Sequence, residues 1–380
     1  GAYGAMGIPV TVPATLTDLD ALTLGKNTSL ILCLVTVIIA FLIVFMVDGF
    51  KGIKETFPAI LVSGGGFAIT QFIFLNFVGP ELVNVSSAIV SLLALIVFLR
   101  FWQPKQQLTA ETKEVANDKE VLTGKEVVRA WTPFILLTLF VTLLNTGFFK
   151  QLIQPANPKT GQAAGALNSL IFNFPYYIDG TVARVAPIAK QPTPIKAVFS
   201  FAPFTSTTTA ILLAGILTII IFRVNSRIVI STIRETAVEL WGPILTICSV
   251  LAFAYISTYS GMSSTLGLAF ANTGKIFPLF SPILGWIGVF LTGSVVNSGS
   301  LFAGLQSVTA SQIGIDPSLL VAANIMGGAI AKMISPQSIA VAAAAVGLVN
   351  RDSEIFAKTI KWSVILLVLT GVLNLLITLR

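Results

Sequence analysis

The chain has 380 residues, of which 55% are hydrophobic and only 10% are charged, and its formal net charge is +7. Because a soluble domain carries about 25% charged residues, most of this chain must face lipid. With no histidine and two cysteines, the chain lacks the residues for imidazole metal sites, Ser-His-Asp or Cys-His catalysis and a disulfide framework. The composition predicts an all-α polytopic membrane protein.

Eight apolar runs approach or reach the length that a helix needs to cross about 30 Å of hydrocarbon. In chain order they are Ser29–Val47, Phe57–Val78, Val83–Leu99, Trp131–Phe149, Phe204–Phe222, Trp241–Tyr259, Phe277–Thr292 and Trp362–Leu379. The segment Gly293–Val349 is apolar but interrupted by Gly, Ser, Asn and Pro, which predicts broken helices or re-entrant hairpins. We therefore expect about 8–10 transmembrane segments.

Basic residues orient these spans. The connections 48–56, 100–130 and 223–240 contain eleven Lys and Arg residues, whereas 79–82 has none and the long 150–203 segment has five. Short loops rich in Lys and Arg stay in the cytoplasm, so the first set is predicted to be cytoplasmic. The positive charge thus serves membrane orientation, and the lipid bilayer, with no nucleic acid, is the expected partner.

Two hydrophilic segments lie between the spans. Gln103–Arg129 mixes charges of both signs and is predicted to be a solvated cytoplasmic loop or a short surface helix. Residues 150–203 contain several prolines, including Pro192 and Pro194, which argue against a long helix and predict an irregular external loop. Neither segment has the features of a separate domain.

The strongest functional signal lies between Leu291 and Gly347. A lysine at the centre of a membrane helix costs about 2.5–3.5 kcal/mol, so Lys332 requires an explanation. It could attract a carboxylate substrate, pair with a protein carboxylate, or extend to the interface from a helix end. Pro336 could begin a second half-helix whose free N-terminus points at an anion in the midplane.

The candidate substrate-binding residues are Lys332 and the hydroxyl and amide side chains of three polar interruptions. They are Lys332, Ser335, Gln337, Ser338, Ser294, Asn297, Ser298, Asn324, Ser260 and Ser263. No catalytic residue, metal ligand set or cofactor is predicted. The acidic candidates for carrying a proton all fall at span ends or in loops: Asp48, Glu55, Glu81, Asp179 and Asp316.

Four motifs together resemble the bacterial L-lactate permease family. They occupy residues 48–56, 79–82, 259–265 and, above all, 332–341. The resemblance implies symport of L-lactate, and in many members glycolate, with protons across the bacterial cytoplasmic membrane. It also implies a fold of inverted repeats with re-entrant hairpins, and no enzymatic activity. Residues 1–28 would be the remnant of a first-repeat site motif and its loop. Residues 29–380 would form the transport domain, with the second-repeat site region at 259–349.

Two departures from the family pattern keep alternatives open. Val295 stands where family members commonly have an acidic residue, and the chain is expected to be shorter than family members by several N-terminal spans. The alternatives are a carrier or channel for another small organic or inorganic anion, and a non-transporting fragment or degenerate paralogue. A membrane-embedded enzyme lacks a visible nucleophile and base. The sequence does not indicate an oligomeric state.

Overall fold

A computed structural model describes residues 4, 7–104, 123–145, 149, 170–173, 181–186, 192–194, 198–201, 207–345 and 351–379. The α-helices are α1 (Ile8–Thr17), α2 (Ala21–Phe77), α3 (Val83–Phe101), α4 (Gly124–Asn145), α5 (Thr207–Phe222), α6 (Ser226–Tyr259), α7 (Met262–Ala271), α8 (Phe277–Thr292), α9 (Val295–Ile313), α10 (Pro317–Ala331), α11 (Pro336–Ala345) and α12 (Asp352–Thr378). In this part of the chain, seven helical stretches are long and apolar enough to cross a membrane. The predicted helical membrane fold is confirmed.

The 57-residue α2 folds back on itself. Its backbone leaves helical geometry at Asp48 (φ −135°, ψ 15°) and Gly49 (φ 60°, ψ −151°). Beyond this break the second arm returns along the first, and Thr36 Oγ1 donates to Gln71 Oε1 at 3.3 Å. α2 therefore supplies two antiparallel spans, which agree with the runs predicted on either side of residues 48–56.

Several boundaries differ from the prediction because helices extend beyond the membrane. α4 begins at Gly124 and α6 at Ser226, so Arg129, Arg227 and Arg234 lie in helices instead of loops. Amphipathic turns need no lipid to remain helical, and hydropathy alone marks only their apolar part. Residues 105–122 of the predicted cytoplasmic loop lie outside the described residues.

The predicted external loop contains short strands. β1 (Leu170–Asn173) pairs antiparallel with β4 (Val198–Phe201), in the register Leu170 to Phe201. β2 (Ala183–Arg184) pairs with β3 (Thr193–Pro194). The prediction of wholly irregular chain is therefore wrong for these residues, although prolines do exclude long helices there.

The core of the molecule lies where α8, α9, α10 and α1 pack together. Close backbone contact between α8 and α10 is possible because of glycines: a Cβ added to Gly285 would lie 1.8 Å from the Asn324 carbonyl oxygen. Likewise, a Cβ on Gly327 would lie 1.8 Å from the Pro282 carbonyl oxygen. Small residues at helix interfaces allow this approach in membranes, where packing rather than hydrophobic burial drives association.

Candidate functional site

Two polar turns meet at one end of the core. The first joins α8 to α9 through Gly293 and Ser294, and the second joins α10 to α11 through residues 332–335. Lys332 Nζ donates to the Gly293 carbonyl oxygen at 2.9 Å. Gly293 has φ 68°, and a Cβ there would lie 2.2 Å from Gln337 Oε1. Glycine therefore allows both the turn and the close approach of Gln337. We call Gly293, Ser294 and residues 332–338 the inner cluster.

Serine caps begin both helices that leave the inner cluster. Ser294 Oγ accepts from Asn297 N at 3.3 Å at the start of α9. Ser335 Oγ accepts from Ser338 N at 3.3 Å and donates to Ser338 Oγ at 2.8 Å. Two helix N-termini, each with a partial positive charge, thus lie beside one ammonium group. Such an arrangement favours an anion.

Lys332 carries an uncompensated charge in the described part of the chain. The single ion pair there joins Arg351 to Glu354 at 2.5 Å, so no described carboxylate lies within 4.0 Å of Lys332. Of the alternatives for this lysine, pairing with a described protein carboxylate is therefore not observed. The attraction of an external anion remains a prediction.

The neighbours of the inner cluster show its level within the bundle. Ser363 Oγ donates to the Ile330 carbonyl oxygen at 3.3 Å, so the end of α10 lies beside the middle part of α12. Pro317–Ala343, which includes α10 and most of α11, is one stretch long and apolar enough to cross a membrane, and Lys332 lies near its middle. The position of Lys332 in the midplane stays a prediction.

Most of the polar segment after Gly293 is helical. Asn297, Ser298 and Ser300 belong to α9, so only Gly293 and Ser294 form the predicted irregular chain. The small side chains in this part of α9 allow the helix to pack closely against its neighbours. Ser298 Oγ donates to the Gly285 carbonyl oxygen at 3.0 Å, which gives Ser298 a packing role.

Buried polar groups without partners lie above the inner cluster. Asn297 Oδ1, Ser300 Oγ and both side-chain polar atoms of Asn324 have no hydrogen-bond partner among the described residues. Buried polar groups are normally hydrogen-bonded, so this concentration indicates a functional region. Asn297 and Asn324 retain their predicted status as candidate site residues.

Val295 occupies the first turn of α9 and is 5% exposed. Its side chain belongs to an apolar cluster with Val289, Val321 and Ile330. The residue at this position is therefore part of the packed core, immediately next to the Ser294 cap. A carboxylate here would adjoin the inner cluster.

A small cavity adjoins the inner cluster on the side of α2. It has a volume of about 220 Å³, and its lining includes Met333, Thr36, Gln71 and Asn84. The last three are polar side chains that the sequence analysis did not select. No sequence pattern links these three residues, since they come together only through the fold-back of α2 and the turn before α3.

Ser260 and Ser263 do not join the inner cluster. They lie at the break between α6 and α7, where Gly261 has φ 80°. Ser263 contacts the position of Gly304 on α9, about 15 Å along the helix from Ser294 at 1.5 Å per residue. The structure thus divides the predicted site residues into an inner group and an outer group. No group of three or more His, Cys, Asp or Glu side chains suited to a metal occurs in the described residues.

Comparisons of the whole chain with known proteins identify membrane permeases as its relatives. The family model described as L-lactate permease matches residues 1–379. A glycolate permease of Escherichia coli K12 is 44% identical over 99% of this chain and 68% of its own length. An L-lactate permease of the same strain is 46% identical over 98% of this chain and 67% of its own length.

A relative with lower sequence identity is also a permease. An L-lactate permease of Bacillus subtilis is 40% identical over 99% of this chain and 68% of its own length. The chain thus spans about two thirds of the length of these relatives. Among solved structures, the Alcanivorax borkumensis YdaH transporter covers 99% of this chain, with 15% identity and a TM-score of 0.43, which adds nothing to the assignment.

Proposed function

Because the chain belongs to the L-lactate permease family, we propose that it takes up L-lactate, and glycolate as a second substrate, together with protons. It is a multi-pass protein of the bacterial cytoplasmic membrane. The observation that carries the proposal is the inner cluster. There the Lys332 ammonium group and two helix N-termini face one region, and no described carboxylate neutralises them.

The chemistry of a 2-hydroxy acid suits this region. The carboxylate would bind Lys332 and the first-turn N–H groups of α9 and α11. Ser294, Ser335, Gln337 and Ser338 offer donors and acceptors for the hydroxyl group. The adjacent cavity lined by Thr36, Gln71 and Asn84 supplies space for the small carbon skeleton. Asn297 and Asn324 would contact the substrate as it moves along α9.

Proton coupling follows from the energetics of moving an anion. A monovalent carboxylate that enters against an inside-negative potential requires about 2.3 kcal/mol per 100 mV. Entry together with one proton is electroneutral and avoids this cost. We also propose the division of the chain into residues 1–28 and a transport domain over 29–380, with a site region at 259–349. Movement of one helix bundle against another would then expose the site to each side in turn.

Uptake of labelled L-lactate by proteoliposomes tests the proposal. We expect an inward proton gradient to accelerate uptake, and unlabelled L-lactate inside the vesicles to accelerate exchange. Uptake driven by the concentration gradient alone, with no acceleration by internal lactate, would indicate a channel instead. Competition by glycolate, acetate and a dicarboxylate identifies the substrate class, and the absence of competition by glycolate would contradict its assignment.

Val295 favours one alternative, a carrier of another small organic anion or one with altered proton coupling. A valine cannot titrate, and it is buried where the resemblance implies an acidic residue. Val295→Asp, compared with the isosteric but uncharged Val295→Asn, tests this. Stronger proton dependence of uptake in Val295→Asp alone would show that position 295 controls coupling. Equal behaviour of the two variants would show that coupling resides elsewhere.

A further inference from the structure

A second polar cavity lies at the outer end of the bundle. It has a volume of about 160 Å³ and is enclosed by the end of α1, the α6–α7 break, the last turns of α9 and Arg184 of the external segment. A cavity of this volume has room for several water molecules. A carboxylate of two or three carbons is of this size.

The lining of this cavity has the chemistry of an anion site. One guanidinium group, that of Arg184, is accompanied by six hydroxyl side chains, among them Ser263, Ser264 and Ser307. The described part of the chain holds no carboxylate within 4.0 Å of Arg184. The planar guanidinium group of Arg184 can bind a carboxylate through two parallel hydrogen bonds.

Ser263 gives an independent indication of a ligand. Its side chain lines the cavity and is only 7% exposed, yet the described residues offer its hydroxyl no hydrogen-bond partner. This hydroxyl is therefore available to a ligand in the cavity. Ser263 also lies in the first turn of α7, where Gly261 provides no side-chain cap. The free N–H groups of this turn add donors for an anion.

A polar face of α9 connects this outer cavity with the inner cluster. Asn297, Ser300, Gly304, Ser307 and Ser311 follow one another at intervals of three or four residues, so they share one face of the helix. From the first to the last they span about 21 Å at 1.5 Å per residue. The buried atoms without partners, Asn297 Oδ1 and Ser300 Oγ, lie on this face.

We propose that the outer cavity is an external entry site for the transported monocarboxylate. Arg184 binds the carboxylate, and Ser263 and Ser307 bind the remaining oxygen atoms. The substrate then passes along the polar face of α9 to the inner cluster. This inference rests on the proposed function for the identity of the substrate, and it adds a binding site on the external side.

Uptake and efflux of L-lactate in proteoliposomes test the entry site. Arg184→Gln is expected to raise the KM for external L-lactate about tenfold, equivalent to about 1.4 kcal/mol, because the charge-assisted contact is lost. Arg184→Lys should give an intermediate KM, since it keeps the charge without the planar pair of donors. Efflux from the internal side should keep its KM. Lys275→Gln removes the same charge from an exposed position outside the cavity and should match the wild type.

Two results would overturn the entry site. One is a wild-type KM in Arg184→Gln, and the other is an equal rise in KM for uptake and efflux, which would indicate a general structural effect. Binding of L-lactate, glycolate and acetate to the purified protein separates this proposal from the proposed function. If the wild type binds a monocarboxylate through Arg184 but transports none, the entry site stands and the transport function fails. Because the inner cluster also binds substrate under the proposed function, Arg184→Gln is expected to lose one of two binding sites. Identical binding curves for the wild type and Arg184→Gln, or no binding at all, contradict the entry site.

Discussion

Lys332 joins two turns that are 39 residues apart in the chain, through its hydrogen bond to the Gly293 carbonyl oxygen. The contact uses only one of the three N–H donors of the ammonium group. The others remain able to bind an anion at the same point. A residue that holds the turns together and also attracts substrate should therefore affect both stability and transport.

Replacement of Lys332 by glutamine separates these two effects. Glutamine keeps a side-chain N–H donor but has no charge, so we expect the protein to fold and the rate of L-lactate uptake at low concentration to fall at least about tenfold. Lys358→Gln is the matched control, because Lys358 is an exposed lysine of α12 outside the inner cluster. Uptake kinetics in proteoliposomes measure both. Unchanged uptake by Lys332→Gln would remove Lys332 from the substrate site.

Asp20 shows a simpler role for charge, at the N-terminus of α2. Its carboxylate accepts from Thr23 Oγ1 and Thr23 N, both at 2.8 Å, and these hydrogen bonds lower its pKa from the ordinary 3.8. A lowered pKa means that the cap contributes stability above the unfolded-state value and loses it as the pH falls through the folded-state value.

Asp20→Ala should therefore lower the thermal unfolding temperature near pH 7, since loss of a cap costs about 1 kcal/mol. The difference from the wild type should shrink below about pH 4. Asp20→Asn keeps a capping oxygen that does not titrate, so its stability should remain close to that of the wild type at neutral pH. Thermal unfolding in detergent across this pH range measures all three. A difference that stays constant with pH would refute the capping argument.

At the scale of elements, α8 and α10 form the tightest pair in the core, because their glycines bring the two backbones into contact. Such a pair fixes the position of the inner cluster, since Gly293 directly follows α8 and Lys332 directly follows α10. Any side chain between these helices would move both turns.

Gly285→Ala tests this packing. Its Cβ would lie 1.8 Å from the Asn324 carbonyl oxygen, so backbone must shift, at a cost of at least the 1–3 kcal/mol or so that is usual for overpacking. Gly65→Ala is the control, because no atom lies within 4 Å of its added Cβ and alanine favours a helix by about 0.5–1 kcal/mol. We expect unfolding at lower temperature only for Gly285→Ala. Equal stability of the two variants would contradict the close contact.

At the scale of the whole molecule, the fold separates the inner cluster from the outer cavity, with α9 between them. This arrangement depends on the orientation given by eleven basic residues in three connections. The break of α2 at Asp48 and Gly49, which lies among these residues, should therefore face the cytoplasm.

Labelling of introduced cysteines tests this orientation. Lys275→Cys should react with a membrane-impermeant maleimide in intact cells, whereas Lys51→Cys should react only after the membrane is opened. Both residues are exposed, so accessibility within the fold does not distinguish them. The natural Cys33 and Cys248 are replaced by serine in both variants. The reverse pattern of labelling would invert the assignment of inner and outer sites.

Much of the candidate site could be predicted from the sequence, and the residues that the prediction missed share one cause. Lys332 was identified because a lysine is expensive in lipid, and Gly293 and Ser294 because they interrupt an apolar run. The sequence analysis did not select Arg184, because an arginine in a proline-rich external segment has no free-energy cost in lipid that would distinguish it. Gln71 and Asn84 were missed because each is an isolated polar residue, and only the fold-back of α2 gives them a common cavity.

The sequence alone determined that the chain lies in a membrane and which family it belongs to, and it predicts which side the short loops face. These properties follow from composition, from the positions of charges and from motifs, all of which are local along the chain. Only the tertiary structure decided that Lys332 contacts Gly293 and that Ser263 and Arg184 line one cavity. The reason is physical: hydropathy sets which segments enter lipid, whereas glycine contacts and buried hydrogen bonds between distant segments set which helices pack together and at what depth.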